Sequence, residues 1–152
     1  MRRILGWGLL TLFLAVNLGA CASTREQAAP AGPSLYKQLG GREGIAIVVN
    51  DFTANMAADP RVNIRFKDTK PAELEKFKSN LADQICEATG GSCSYLGKDM
   101  KTAHKDMRIT EDEWTATVEN LVKALDKNNV PAQAKQELLG ALGPMKKDIV
   151  GQ

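Results

Sequence analysis

Residues Tyr95 to Thr110 read YLGKDMKTAHKDMRIT and hold His104, the single histidine of the 152-residue chain. One imidazole alone says little, because most histidines are satisfied core or surface groups. The setting of this one says more. Met100 lies four residues before it and shares its face in a helical segment. Gly90-Gly91 and Gly97 make the approach loop-like. A long amphipathic pattern opens immediately afterwards, at Thr110. The stretch therefore reads as a short helical piece that carries one imidazole between two long helices.

Working outward, Thr110 with Glu113 three residues on is a capping box, the start signal of a helix. Trp114, Val118, Leu121, Val122 and Leu125 give that helix a wide apolar face, and Asn128-Asn129 close it. Val130-Pro131 starts a last helix, with Leu138, Leu142, Met145 and Ile149 on its buried side. Gly140, Gly143 and Pro144 predict a break or bend within it. On the other side, Leu74, Phe77, Leu81, Ile85 and Ala88 form the stripe of a helix from about Pro71 to the Gly90-Gly91 stop. Before it, Ile45, Val49, Phe52, Thr53 and Met56 mark the inward face of a helix from about Arg42 to Ala58, which Asp59-Pro60 ends. Tyr36 and Leu39 end a short first helix at Gly40-Gly41. The expectation is an all-α domain with no strand of useful length. No zinc-type Cys/His spacing, phosphate-cradling glycine loop or Ser-His-Asp order is present. A short helical piece with one imidazole between long helices suits the proximal iron ligand of a haem.

The N-terminus reads as a targeting segment. Arg2 and Arg3 precede an apolar run, Ile4 to Leu18, too short for a comfortable membrane span. Leu18-Gly19-Ala20-Cys21 resembles the lipobox of bacterial lipoproteins. The resemblance implies cleavage of residues 1–20 and a thioether-linked lipid on Cys21, which anchors the chain to a membrane. Ala22 stands where inner-membrane retention signals place Asp, which favours the outer membrane with the domain facing the periplasm. Residues 21–33 lack an apolar period and read as a flexible tether. With Arg2 and Arg3 removed, the 20 basic residues become 18, equal to the 18 acidic ones. The pI of about 8.4 is thus no argument for nucleic acid as a partner, and the interleaved charges read as a solvated surface.

Across residues 34–150 an ordered series resembles the group I truncated haemoglobins. It comprises Tyr36 with Leu39-Gly40-Gly41, Asp51-Phe52, Ala58-Asp59-Pro60, Phe66, Gly90-Gly91, Tyr95 with Gly97, Met100 with His104, Ile109-Thr110, Val130-Pro131 and Asp148-Ile149-Val150. The resemblance implies a monomeric two-over-two helical sandwich around haem b. It puts His104 at the proximal iron ligand and Phe66 on the haem face. Met100, Tyr95, Trp114 and Phe52 fall in haem-lining regions. Many members carry a tyrosine on the second helix and a glutamine on the third, both donors to bound dioxygen. Here Thr53 takes the first position, while Phe77 and Leu81 face the iron. Gln84 is the nearest amide. Without a second histidine, ligation by two imidazoles within one chain is impossible; Lys76 or Lys78 remains an option.

An apolar distal side predicts weak dioxygen binding and a relative preference for carbon monoxide and nitric oxide. Each missing donor is worth about 1 kcal/mol. The leading functional expectation is a haem globin that binds a diatomic gas. A second is a haem redox enzyme acting on nitric oxide, which needs a separate reductase, or on peroxide, which needs a distal acid–base group. A third is a gas sensor or haem carrier with a separate partner. Cys86 and Cys93 flank the Gly90-Gly91 turn, and in an oxidising compartment this spacing invites a disulfide.

Overall fold

The computed structural model describes residues 32–152. The signal segment, Cys21 and the tether up to residue 31 lie outside the described residues. Six α-helices follow in order: α1 Leu35–Gln38, α2 Gly41–Ala58, α3 Pro71–Ala88, α4 Met100–Ala103, α5 Glu111–Lys127 and α6 Ala132–Leu142. Single 3₁₀ segments occupy Asn63–Arg65 and Gly143–Asp148.

The helix boundaries follow local chemistry. Gly40 has φ 81° and Gly41 φ 67°, a left-handed turn that separates α1 from α2 at low steric cost. The Lys70 N–H donates to the Glu73 carboxylate at 3.2 Å where α3 begins. At α5 the capping box forms as expected. Thr110 Oγ1 accepts from Glu113 N–H at 3.2 Å, and the Thr110 N–H donates to Glu113 Oε2 at 2.8 Å. α6 breaks at Gly143-Pro144, where the chain tightens into the 3₁₀ segment, whereas Gly140 stays helical.

α2 packs against both α3 and α5. Its expected inward residues are all buried, and Val48 joins them. All of these but Thr53 form one apolar cluster with Ile85 of α3, Leu125 of α5 and Leu138 of α6. Each fully buried Leu or Ile of this set contributes on the order of 2 kcal/mol. One end of the α3 stripe departs from expectation. Ala88 is exposed, and Cys86 and Thr89 take the interior in its place, on the same helix face as Ala82 and Ile85. There the Tyr36 N–H donates to the Thr89 carbonyl at 3.1 Å. The single strand-like feature among the described residues is an isolated bridge, Ile109 to Val150.

One buried polar group ties two helices together. The Asn120 side-chain amide donates to Asp59 Oδ2 at 2.8 Å, while the Asn120 backbone carbonyl accepts from Asn55 Nδ2 at 3.1 Å. Asp59 also binds Arg61, whose hydrogen bonds are the first cause holding its carboxyl well below the usual range. The end of α2 is thereby fixed to the middle of α5.

Candidate cofactor cavity

A cavity of about 930 Å³ opens between α2, α3, α4 and α5 and is floored by the 143–148 segment. That is the upper end of the range for small-molecule sites, about 300–1,000 Å³. Phe52 of α2, Phe66 and the α3 residues Phe77 and Leu81 line it. Tyr95, Met100, His104 and Trp114 line the opposite and lateral walls. Phe66 and Phe77 meet edge to face, with ring centroids 5.7 Å apart.

His104 caps the C-terminus of α4. Its Nδ1 lies 2.8 Å from the Met100 carbonyl oxygen. A carbonyl only accepts, so Nδ1 carries a proton, and Nε2 is the ring nitrogen that a neutral imidazole would offer to a metal. No described residue hydrogen-bonds Nε2. Neutral imidazole in this tautomer, with its far nitrogen fixed by a backbone carbonyl, is the form that ligates a metal.

The segment after His104 is held from two sides. Arg65 pairs with both Glu113 carboxylate oxygens, at 2.6 and 2.8 Å, and its third contact is the Met107 carbonyl at 2.8 Å. That hydrogen-bonded pair is the first cause of the lowered Glu113 pKa. From the other side the Gly151 N–H donates to the Ile109 carbonyl at 2.9 Å. Asp106 and Arg108 are both left-handed, φ 65° and 52°.

The segment before His104 is held differently. Cys86 and Cys93 form a disulfide, with Cα atoms 5.8 Å apart. It packs against Gly91, where a Cβ would stand 2.4 Å from Cys86 Sγ and 2.7 Å from the Tyr36 ring. Among the described residues, the backbone of residues 92–98 makes no hydrogen bond to any other part of the chain. Its single polar bond is internal, Tyr95 Oη to the Lys98 carbonyl at 2.6 Å. Burial is the first cause that pushes the Tyr95 phenol upward, so it stays a neutral donor.

Thr53 and Gln84, expected on the distal side, both make other contacts. Thr53 is buried and does not line the cavity; its hydroxyl donates to the Val49 carbonyl at 2.7 Å. The short side chain reaches back to its own helix turn, and Phe52 faces the cavity in its stead. Gln84 lines the cavity, but its amide faces the Met100 and Met145 sulfurs at 3.5 and 3.6 Å. It therefore points toward the His104 side. Lys76 lines the cavity; Lys78 does not, and pairs with Glu75.

The sequence pattern missed Asn80, Met107, Leu139 and Arg65 as wall residues. It assigned Leu142, Met145 and Ile149 to the buried face of the last helix; all three also line the cavity, and Leu142 packs against the core cluster as well. The Gly143-Pro144 break that redirects this segment was the available signal.

An all-helical domain whose large apolar cavity holds one imidazole fixed by a backbone carbonyl has the makings of a globin. The bacterial-like globin family matches residues 34–150. A group 1 truncated haemoglobin of Mycolicibacterium paratuberculosis is 30% identical over 116 residues, covering 76% of this chain and 83% of that protein. The crystal structure of the Tetrahymena pyriformis truncated haemoglobin in its Fe(III) form superposes with a TM-score of 0.74. It is 28% identical and covers 79% of this chain and all (100%) of that one. The Synechococcus 2/2 haemoglobin, solved in the cyanomet state with covalently attached haem, gives 0.71 at 31% identity, covering 78% and 98%. The chain belongs to the group 1 truncated haemoglobins and has their two-over-two helical fold. Truncated haemoglobins bind haem iron.

Proposed function

We propose that this chain holds haem b through His104 Nε2 and takes a diatomic gas on the opposite, apolar side. The observation that carries the reading is the Nδ1 contact to the Met100 carbonyl, which fixes the tautomer inside the cavity wall. The rest of the wall fits the group. Phe66, Phe77, Leu81 and Trp114 offer apolar surface to a flat macrocycle. Lys76 and Lys98 line the cavity without an ion pair among the described residues and suit its carboxylates. When bound, the haem supplies an iron with one coordination position open to gas. The cavity wall itself is mostly apolar and offers few donors. Asn80 is an amide in the wall, and the Thr117 hydroxyl is taken by the Glu113 carbonyl at 2.8 Å. The reading is therefore a gas-binding globin with weak dioxygen retention and preference for carbon monoxide.

Location is part of the same proposal. The Cys86–Cys93 disulfide favours an oxidising compartment, as does the lipobox-like run ending on Cys21. Together they support a lipid-anchored globin of the outer membrane that faces the periplasm.

The test of the ligand is His104→Gly. The variant is expected to lose the normal ferrous haem spectrum and to regain part of it with added imidazole. An unchanged five-coordinate ferrous spectrum without imidazole overturns the assignment.

A further inference from the structure

All four methionines among the described residues touch the cavity, yet their surroundings differ. Met56 is buried, 6% exposed, and the amide nearest its sulfur, that of Asn120, is engaged by Asp59. Met107 is half-buried and has no amide at its sulfur among the described residues. Met100 and Met145 are also half-buried, and one nitrogen, Gln84 Nε2, stands 3.5 Å from the first sulfur and 3.6 Å from the second. Among the described residues this NH₂ group has no oxygen acceptor. It faces two thioethers, which are weak acceptors.

We propose that Met100 and Met145 form a peroxide-reactive site, and that Gln84 holds the sulfoxide produced there. A thioether sulfur attacks one oxygen of hydrogen peroxide. The O–O bond breaks, an S–O bond forms, the sulfur is oxidised by two electrons and the remaining oxygen leaves as water. The product oxygen carries negative charge and is a far better acceptor than the sulfur was. The Gln84 amide already stands where that charge develops, so it favours oxidation at these two sulfurs over Met107. The site also touches the proposed iron ligand, because the Met100 carbonyl is the group that orients His104. Oxidation there changes the wall directly beside the imidazole. The inference rests on the two thioethers and the amide.

The experiment treats the full chain, as isolated, with hydrogen peroxide. Cyanide is present to silence any haem iron, and peptide masses are followed in time. Met100 or Met145 is expected to gain an oxygen about fivefold faster than Met107, the ratio of one ordinary hydrogen bond. Met56 is expected last, and its protection reports an intact core. In Gln84→Leu, and in Gln84→Glu, whose carboxylate accepts but does not donate, the ratio should fall towards one while Met56 stays protected. Met107 oxidising first in the wild type overturns the site. A ratio unchanged in either variant removes Gln84 from it.

Discussion

Breaking the Cys86–Cys93 bond should loosen the cavity before it unfolds the domain. The bond closes a short loop, with a sequence separation of 7 residues. On the chain-entropy relation, a loop of that size stabilises by about 2.4 kcal/mol at 25 °C. For a domain of this size that corresponds to a fall in melting temperature of roughly 10 °C. The local effect is larger than the global one, because residues 92–98 have no backbone hydrogen bond to the rest of the described chain. Tyr95, Leu96, Gly97 and Lys98 form one wall of the cavity, and Leu96 is 92% exposed. Once the bond is gone, that wall is tied only by the start of α4 and by side-chain contact. The assay compares Cys86→Ser/Cys93→Ser with the oxidised wild type, by thermal unfolding and by haem transfer to an apo-globin acceptor. Expected are the lower melting temperature and haem loss faster by about tenfold. A melting temperature within about 2 °C of wild type, together with unchanged haem transfer, would refute the reasoning.

Three further outcomes follow from particular contacts. Thr53→Val should leave the dioxygen release rate within about twofold of wild type, since the hydroxyl is spent on the Val49 carbonyl. Thr53→Tyr extends a donor past that carbonyl and should slow release about tenfold, or roughly 1.4 kcal/mol; stopped-flow mixing reads both, and a large effect of the valine would place the hydroxyl over the iron after all. Glu113, Asp59 and Asp51 all have depressed pKa values, caused first by Arg65, Arg61 and Lys127 respectively. Their stabilisation is present above the unfolded carboxylate value of about 4 and is lost as pH falls through the folded values, so the melting temperature should drop steeply below about pH 4. Glu113→Gln should flatten part of that acid limb, and an identical limb in the variant would exclude the Arg65 pair as a contributor. Finally, Cys21→Ser should convert a membrane-associated, lipid-labelled product into a soluble one, and equal membrane fractionation of the two would sink the anchor.

The helices were legible wherever a local signal and an apolar period agreed. Thr110 with Glu113, Pro71 with its stripe, and Gly40-Gly41 each mark an element within a residue or two of its actual limit. His104 stood out in the sequence because it is unique and sits between a glycine-marked loop and a capped helix start. The facing of single side chains was not. Thr53 lies on the inward side of α2, as its spacing says, yet a bond of 2.7 Å to its own helix turns its hydroxyl away. Periodicity carries no information about that choice. Met145 and Ile149 extend the period of α6 on paper, but the 3₁₀ segment after Gly143 changes the angle per residue and swings them to the cavity. Arg65 lies in a short connection with no period at all. Its three contacts with Glu113 and Met107 depend wholly on tertiary approach.

The clamp behind His104 has a consequence for the order in which the domain matures. Asp106 and Arg108 hold left-handed backbones that cost on the order of 1 kcal/mol or more each outside glycine. What keeps them there includes the bridge from Ile109 to Val150 and the bond from the Gly151 N–H to the Ile109 carbonyl. These partners are some forty residues downstream, beyond α5 and α6. During synthesis, α2, α3 and the capped start of α5 are able to form while the imidazole loop is still free to sample ordinary conformations. The final orientation of the His104 loop waits for residues 150 and 151 to leave the ribosome. Orientation of the imidazole loop is thereby deferred until the segment after α6 is made, and a chain cut before residue 150 is expected to fold its core and to hold this loop poorly.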